Sequence, residues 1–281
     1  MPSLPKRMPA VALLCLLALG SCEVYPGSDA LQASREPSPV ADSTANFSAF
    51  FPDSTVGTFV LYDAQSGVTT RYNPARAAER RTPASTTKIF NALVALDAGA
   101  VADEHEIVAW DGIERWSASW NEDMDLETAY QRSAVPVYQE LMRRAGRETL
   151  QAALEREGYG NTTLSDSLEM TWLDGSLLVS PDEQVAFLRR LYAGETGFSD
   201  RSEAIVKRIM VADSTGDTVV RGKTGWSWRD DENLGWWIGW IERGEDVYFF
   251  ALNVESEDPD FEMRGVRKGT ADAILKHLGV L

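Results

Sequence analysis

Ser85-Thr-Thr-Lys88 sets a hydroxyl and an amine three residues apart, after a proline-alanine step and before an apolar helical run. Residues i and i+3 share a helix face, so the two groups can approach each other. A serine hydroxyl becomes a useful nucleophile only when an adjacent base takes its proton. A lysine is such a base only when burial keeps its amine uncharged or when the amine is chemically converted. A helix start also favours negative charge developing on that serine. The chemistry on offer is acyl transfer through Ser85, with Lys88 as the base. Three further groups could take part: Ser133-Ala-Val135, Tyr159-Gly-Asn161 and Lys223-Thr224-Gly225. Each has an ordinary explanation. Ser-x-x-Lys recurs at Ser3 to Lys6, and Ser-x-Val recurs at Ser38, Ser54 and Ser66. A helix cap and a solvated lysine, a helix-surface serine, a helix-ending turn and an edge-strand lysine with a glycine bulge would account for them singly.

The elements that must position these groups can be read from periodicity. Gly57 to Asp63 and Val68 to Tyr72 flank a Gln-Ser-Gly turn and read as a β-hairpin. A helix is expected from Thr86 to Ala98, ended by Gly99. Helices follow over residues 126–145, which would carry Ser133, and over 147–157 and 181–192. The period then changes to strand. Residues 218–226 form one strand, and 235–241 with 247–253 form a hairpin around Arg243 to Asp246. A last helix is expected over residues 264–278. Strands at both ends with helices between imply an α+β domain in the broad α/β class. Its sheet, mainly antiparallel, would be built from both termini, flanked by helices and split by a helical insertion.

The chain has 281 residues, 44% apolar and 25% charged, with a net charge of −16. That composition is ordinary for a folded protein. The acidic balance argues against nucleic acid as a partner, because no net positive field would hold phosphates. Two cysteines, Cys15 and Cys22, and two histidines, His105 and His277, exclude a structural zinc site. Lys6 and Arg7 precede ten apolar residues, Ala10 to Leu19, a run about half a bilayer core long as a helix. A signal peptide over residues 1–21 is the better reading. Leu19-Gly20-Ser21-Cys22 is similar to a bacterial lipobox, so Cys22 is expected to be lipidated. Simple cleavage near Ser21 with Cys22 left free is the alternative. Either outcome implies export, to the periplasm or to a membrane-anchored lipoprotein, and the mature chain would carry −18. Residues 22–46, rich in Ser, Ala, Pro and Asp, read as a flexible tether. The folded domain is expected over residues 47–281.

Taken together, in this order and on these elements, the four motifs resemble those of class D serine β-lactamases. Tyr159-Gly-Asn161 discriminates, because related class A enzymes carry Ser-Asp-Asn and an acidic base. Trp120 to Asp123, Leu126, Ala129, Trp172-Leu-Asp-Gly175 and Arg267-Lys268 extend the resemblance over residues 47–281. Thr87 departs from it, standing where the family usually has a bulky aromatic, which would loosen the wall around Lys88. The resemblance implies the β-lactamase/transpeptidase-like fold. It also implies hydrolysis of penicillin-type β-lactams through an acyl-enzyme on Ser85. Lys88 would be N-carboxylated by carbon dioxide, no other cofactor and no metal being implied, and Trp172 would donate its indole N–H to the resulting carbamate. Ser133 would pass a proton to the leaving nitrogen, and the backbone N–H groups of Ser85 and Trp226 would form the oxyanion hole. Val135 would line the site, and Lys223, Thr224, Gly225 and Arg267 would meet the substrate.

Two other readings use the same residues. A penicillin-binding protein or antibiotic sensor would be acylated on Ser85 without turning over, and a non-catalytic lipoprotein binding cell-wall peptide would not need Ser85. No oligomeric state is legible.

Overall fold

The computed structural model describes residues 41–229, 232–258 and 260–281. The expected signal peptide, Cys22 and most of the expected tether lie outside the described residues. The domain begins with β1 (Ala41–Thr44), β2 (Val56–Asp63), β3 (Val68–Tyr72) and the short α1 (Pro74–Ala77). A 3-10 turn, Ala84–Thr87, leads into α2 (Lys88–Asp97). The insertion holds a small ribbon, β4 (Ile107–Val108) with β5 (Met124–Asp125), and then α3 (Leu126–Gln131), α4 (Val135–Ala145) and α5 (Arg147–Glu157). Then come α6 (Pro181–Ala193), α7 (Asp200–Ile209), β6 (Val211–Thr215), β7 (Thr218–Arg229), β8 (Glu232–Arg243), β9 (Asp246–Ser256) and α8 (Met263–His277).

Seven strands form one sheet in the order β1-β3-β2-β9-β8-β7-β6. Every pairing is antiparallel except β1 with β3. β2 from the N-terminal segment lies against β9 from the C-terminal segment, so both ends build the sheet as the sequence implied. Strand alternation divides the core between two faces. Trp236, Ile238 and Trp240 join Phe90, Leu93 and Leu141 on one side. Trp237, Ile241, Phe250 and Leu252 join Ile274 and Leu275 of α8 on the other. Burial on both faces explains why β8 reads as a nearly unbroken apolar run rather than an alternating one.

Two expectations need correction. The tether does not extend to residue 46, because Ala41–Thr44 pairs with Val68 to Arg71 as an edge strand. A four-residue polar strand has no apolar alternation to reveal it. The helix expected over residues 126–145 is broken, so Ser133 does not sit on a helix. It lies between α3 and α4 with φ +55°. Pro136 near the start of α4 has no N–H for an intrahelical bond, which bars one continuous helix.

Candidate active site

The reactive pair sits where the 3-10 turn enters α2. Lys88 is fully buried, and its Nζ lies 2.8 Å from Ser85 Oγ. Burial, with a contribution from the nearby Lys223 charge, holds the Lys88 amine well below the usual lysine range. An uncharged amine in contact with a hydroxyl can act as a base. Thr87 does not open this pocket to solvent, since Lys88 stays 0% exposed. The Tyr138 ring centre is 5.3 Å from Lys88 Nζ, and the Phe90 ring stacks on Tyr159 at 4.5 Å. Ala84, just before Ser85, holds φ +49°, a left-handed conformation that a non-glycine residue keeps only where its surroundings impose it.

The turn carrying Ser85 is braced from beneath. Thr86 Oγ1 donates to the Pro83 carbonyl at 2.7 Å and accepts from Gln184 Nε2 at 3.0 Å. The Tyr159 hydroxyl donates to Gln184 Oε1 at 3.2 Å. Asn161 accepts from Leu178 N at 2.9 Å and donates to the Ser176 carbonyl at 2.8 Å. Gly160, at φ +61°, has no room for a side chain, since a Cβ would lie 2.2 Å from the Leu178 carbonyl oxygen. Tyr159-Gly-Asn161 therefore holds the loop bearing Trp172 and supports Thr86 from inside the protein. Trp172 is fully buried, and its indole N–H has no partner among the described residues.

Strand β7 forms the opposite wall. A Cβ on Gly225 would lie 2.9 Å from the Pro83 carbonyl oxygen, so the glycine permits β7 to run against the Ser85 turn. Ser85, Ser133, Val135, Lys223, Thr224 and Trp226 border one cleft of about 560 Å³. Arg267 borders it too and donates to the Gly225 carbonyl. Lys223 is 5% exposed, and burial followed by repulsion from Arg267 lowers its pKa to about 7. Arg267 is lowered to about 10 by burial and by the Arg264 charge. The cleft can thus present a nucleophile beside an uncharged amine, next to cations suited to a carboxylate.

The structure brings Ser85, Lys88, Ser133, Val135, Lys223, Thr224, Trp226 and Arg267 to this place. Tyr159, Asn161 and Trp172 support it and do not line the cleft. Sequence reasoning missed Gln184, whose signal is a polar residue on the buried face of α6. It also missed Trp116 and Arg264 at the cleft mouth, where no spacing marks them.

Comparison with known proteins agrees with this geometry. The model of the penicillin-binding protein transpeptidase domain matches residues 57–276, which defines the chain as a member of a serine acyl-transfer class. Beta-lactamase OXA-48 of Klebsiella pneumoniae is 42% identical over 222 residues, covering 78% of this chain and 82% of that protein. OXA-5 of Pseudomonas aeruginosa is 38% identical, covering 78% of this chain and 83% of that protein. Among solved structures, the class D beta-lactamase YbXI from Nostoc superposes with a TM-score of 0.80 at 36% identity, covering 84% of this chain and 99% of that one. The C-terminal domain of the Bacillus licheniformis BlaR penicillin-receptor gives a TM-score of 0.81 at 32% identity, covering 86% and 99%. The chain belongs to the class D β-lactamase family.

Proposed function

We propose that the protein hydrolyses penicillin-type β-lactams through a covalent acyl-enzyme on Ser85. The observation that carries this reading is the contact between Ser85 Oγ and a fully buried Lys88 amine, whose burial holds its pKa well below the usual lysine range. Ser85 Oγ attacks the lactam carbonyl and loses its proton toward Lys88. The backbone N–H groups of Ser85 and Trp226 face the developing oxyanion, each such donor being worth about 2.7–4 kcal/mol in comparable sites. The C–N bond breaks as Ser133 gives a proton to the nitrogen. Lys223, Thr224 and Arg267 hold the ring carboxylate, Gly225 lets β7 approach, and Val135 supplies an apolar wall. Water then releases the acyl group and restores Ser85.

Carbon dioxide is the one added group this reading includes. Two features fit it: an uncharged lysine amine, the form that reacts with carbon dioxide, and the partnerless indole N–H of Trp172. Bound at Lys88, it would supply a carbamate oxygen as the base. Export through residues 1–21, with lipidation at Cys22 as the only tie to a membrane, completes the reading. Among the described residues no helix is long and apolar enough to cross a membrane.

A second reading has its own support, the likeness to the BlaR penicillin-receptor domain. An acylated sensor would release one equivalent of product and stop. A chromogenic β-lactam assay separates the two: we expect continued turnover over many equivalents. A single-equivalent burst would favour the sensor, and silence would contradict acylation altogether.

A further inference from the structure

We propose that the mouth of this cleft selects β-lactams bearing a second anionic group, with Arg264 as the residue that reads it. The inference rests on the function proposed above. In a protein of net charge −16, no aspartate or glutamate among the described residues lines the cleft, whereas Arg132, Lys223, Arg264 and Arg267 all do. Their assignments differ. Arg132 is paired with Glu122, and the buried Lys223 and half-buried Arg267 lie beside the serine, where a ring carboxylate would sit. Arg264 is exposed, and among the described residues its guanidinium has no carboxylate partner. It is held instead by aromatic faces: its Cζ lies 5.2 Å from the Trp226 ring centre and 5.7 Å from that of Trp116. Trp116 is 72% exposed and meets the Trp120 ring edge-on at 5.0 Å.

Two physical points make this a recognition device. A guanidinium stacked on indoles keeps its planar donor edges free for a carboxylate or sulfonate. Arg264 lies in the first turn of α8, beside the N-cap Glu262, whose carboxylate accepts from Gly265 N at 2.8 Å. The exposed Trp116 indole beside it offers a surface for an aryl ring attached next to the anion. One anion of the substrate would be taken deep in the cleft and the second at its mouth. The second could sit on the acylamino side chain or on a cephalosporin's C3 substituent, and paired substrates tell these apart.

The test compares purified wild type with Arg264→Gln and Arg264→Lys, using two matched pairs. Benzylpenicillin and carbenicillin differ only by a carboxylate on the side chain. Cefamandole and cefonicid differ only by a sulfonate on the C3 substituent. For each pair the readout is the ratio of kcat/KM, dianion over monoanion, with a competition constant where turnover is slow. Arg264→Gln should lower that ratio at least about fivefold in one pair, the lower range for a charge-assisted contact open to water. Arg264→Lys should keep part of it. The wild-type ratio should also shrink as salt rises. The pair that responds identifies the end of the substrate that Arg264 reads. Equal changes within both pairs would overturn the inference and leave the proposed hydrolysis standing. Failure of the wild type to turn over benzylpenicillin would overturn both.

Discussion

At the scale of single residues the account depends on how burial treats two amines. Lys223, with its pKa near 7, is charged below that pH and neutral above it. The KM for a mono-anionic penicillin should therefore rise as pH climbs through about 7. Lys223→Arg, which stays charged, should flatten that profile; steady-state kinetics from pH 6 to 9 checks it. Burial holds the Lys88 pKa well below its ordinary value, so folding with Lys88 in place carries the cost of disfavouring its protonated form. The unfolded chain binds that proton up to about pH 10.4, so the cost is greatest at low pH and fades as pH approaches that value. Lys88→Met should abolish turnover yet stabilise the protein by roughly 1–3 kcal/mol at neutral pH. Its advantage over wild type in denaturant melts should narrow between neutral pH and pH 10. An advantage that widens with pH would contradict the assignment. The four short motifs made most of these residues legible in the sequence, because each has a fixed spacing tied to its chemistry. Gln184 was not legible, since a polar residue on a helix's buried face becomes meaningful only when Thr86 and Tyr159 are seen on either side of it.

At the scale of elements the site is two walls, the Ser85 turn and β7, brought together by the absence of one side chain. Gly225→Val should push β7 away from Pro83 and lower kcat/KM by at least about tenfold, since small misplacements in a preorganised site carry such costs. A variant with unchanged kinetics would show that the close approach is incidental. Asn161→Ala should leave Leu178 N and the Ser176 carbonyl without their partner and cost about 1–3 kcal/mol in a thermal or denaturant melt. It should also loosen the Trp172 loop. Periodicity located the helices well where caps and apolar faces agree, as in α5 with Gly158 behind it and α6 behind Ser180 and Pro181. It failed between α3 and α4, where the apolar pattern continues through residues 132–134 although Pro136 stops the hydrogen bonding. That break is what carries Ser133 to the cleft rather than onto a helix face.

At the scale of the whole molecule, β2 beside β9 closes the sheet around segments far apart in the chain, and Arg76 of α1 ties to Asn253 and Glu255 of β9 at 2.9 and 2.5 Å. The sheet built from both ends was legible because strand-period segments sit at both ends of the sequence. Strand β1 was not, because Ala41 to Thr44 carries no apolar alternation and its side-chain partners on β3, Thr70 and Arg71, are found only in the fold. The most direct test of the central claim is intact-protein mass spectrometry after mixing with benzylpenicillin, for wild type and Ser85→Ala. The account predicts that the wild type gains the mass of one intact penicillin and then loses it as the ring-opened acid appears, while Ser85→Ala gains nothing. A covalent adduct on Ser85→Ala, or hydrolysis persisting in that variant, would contradict it.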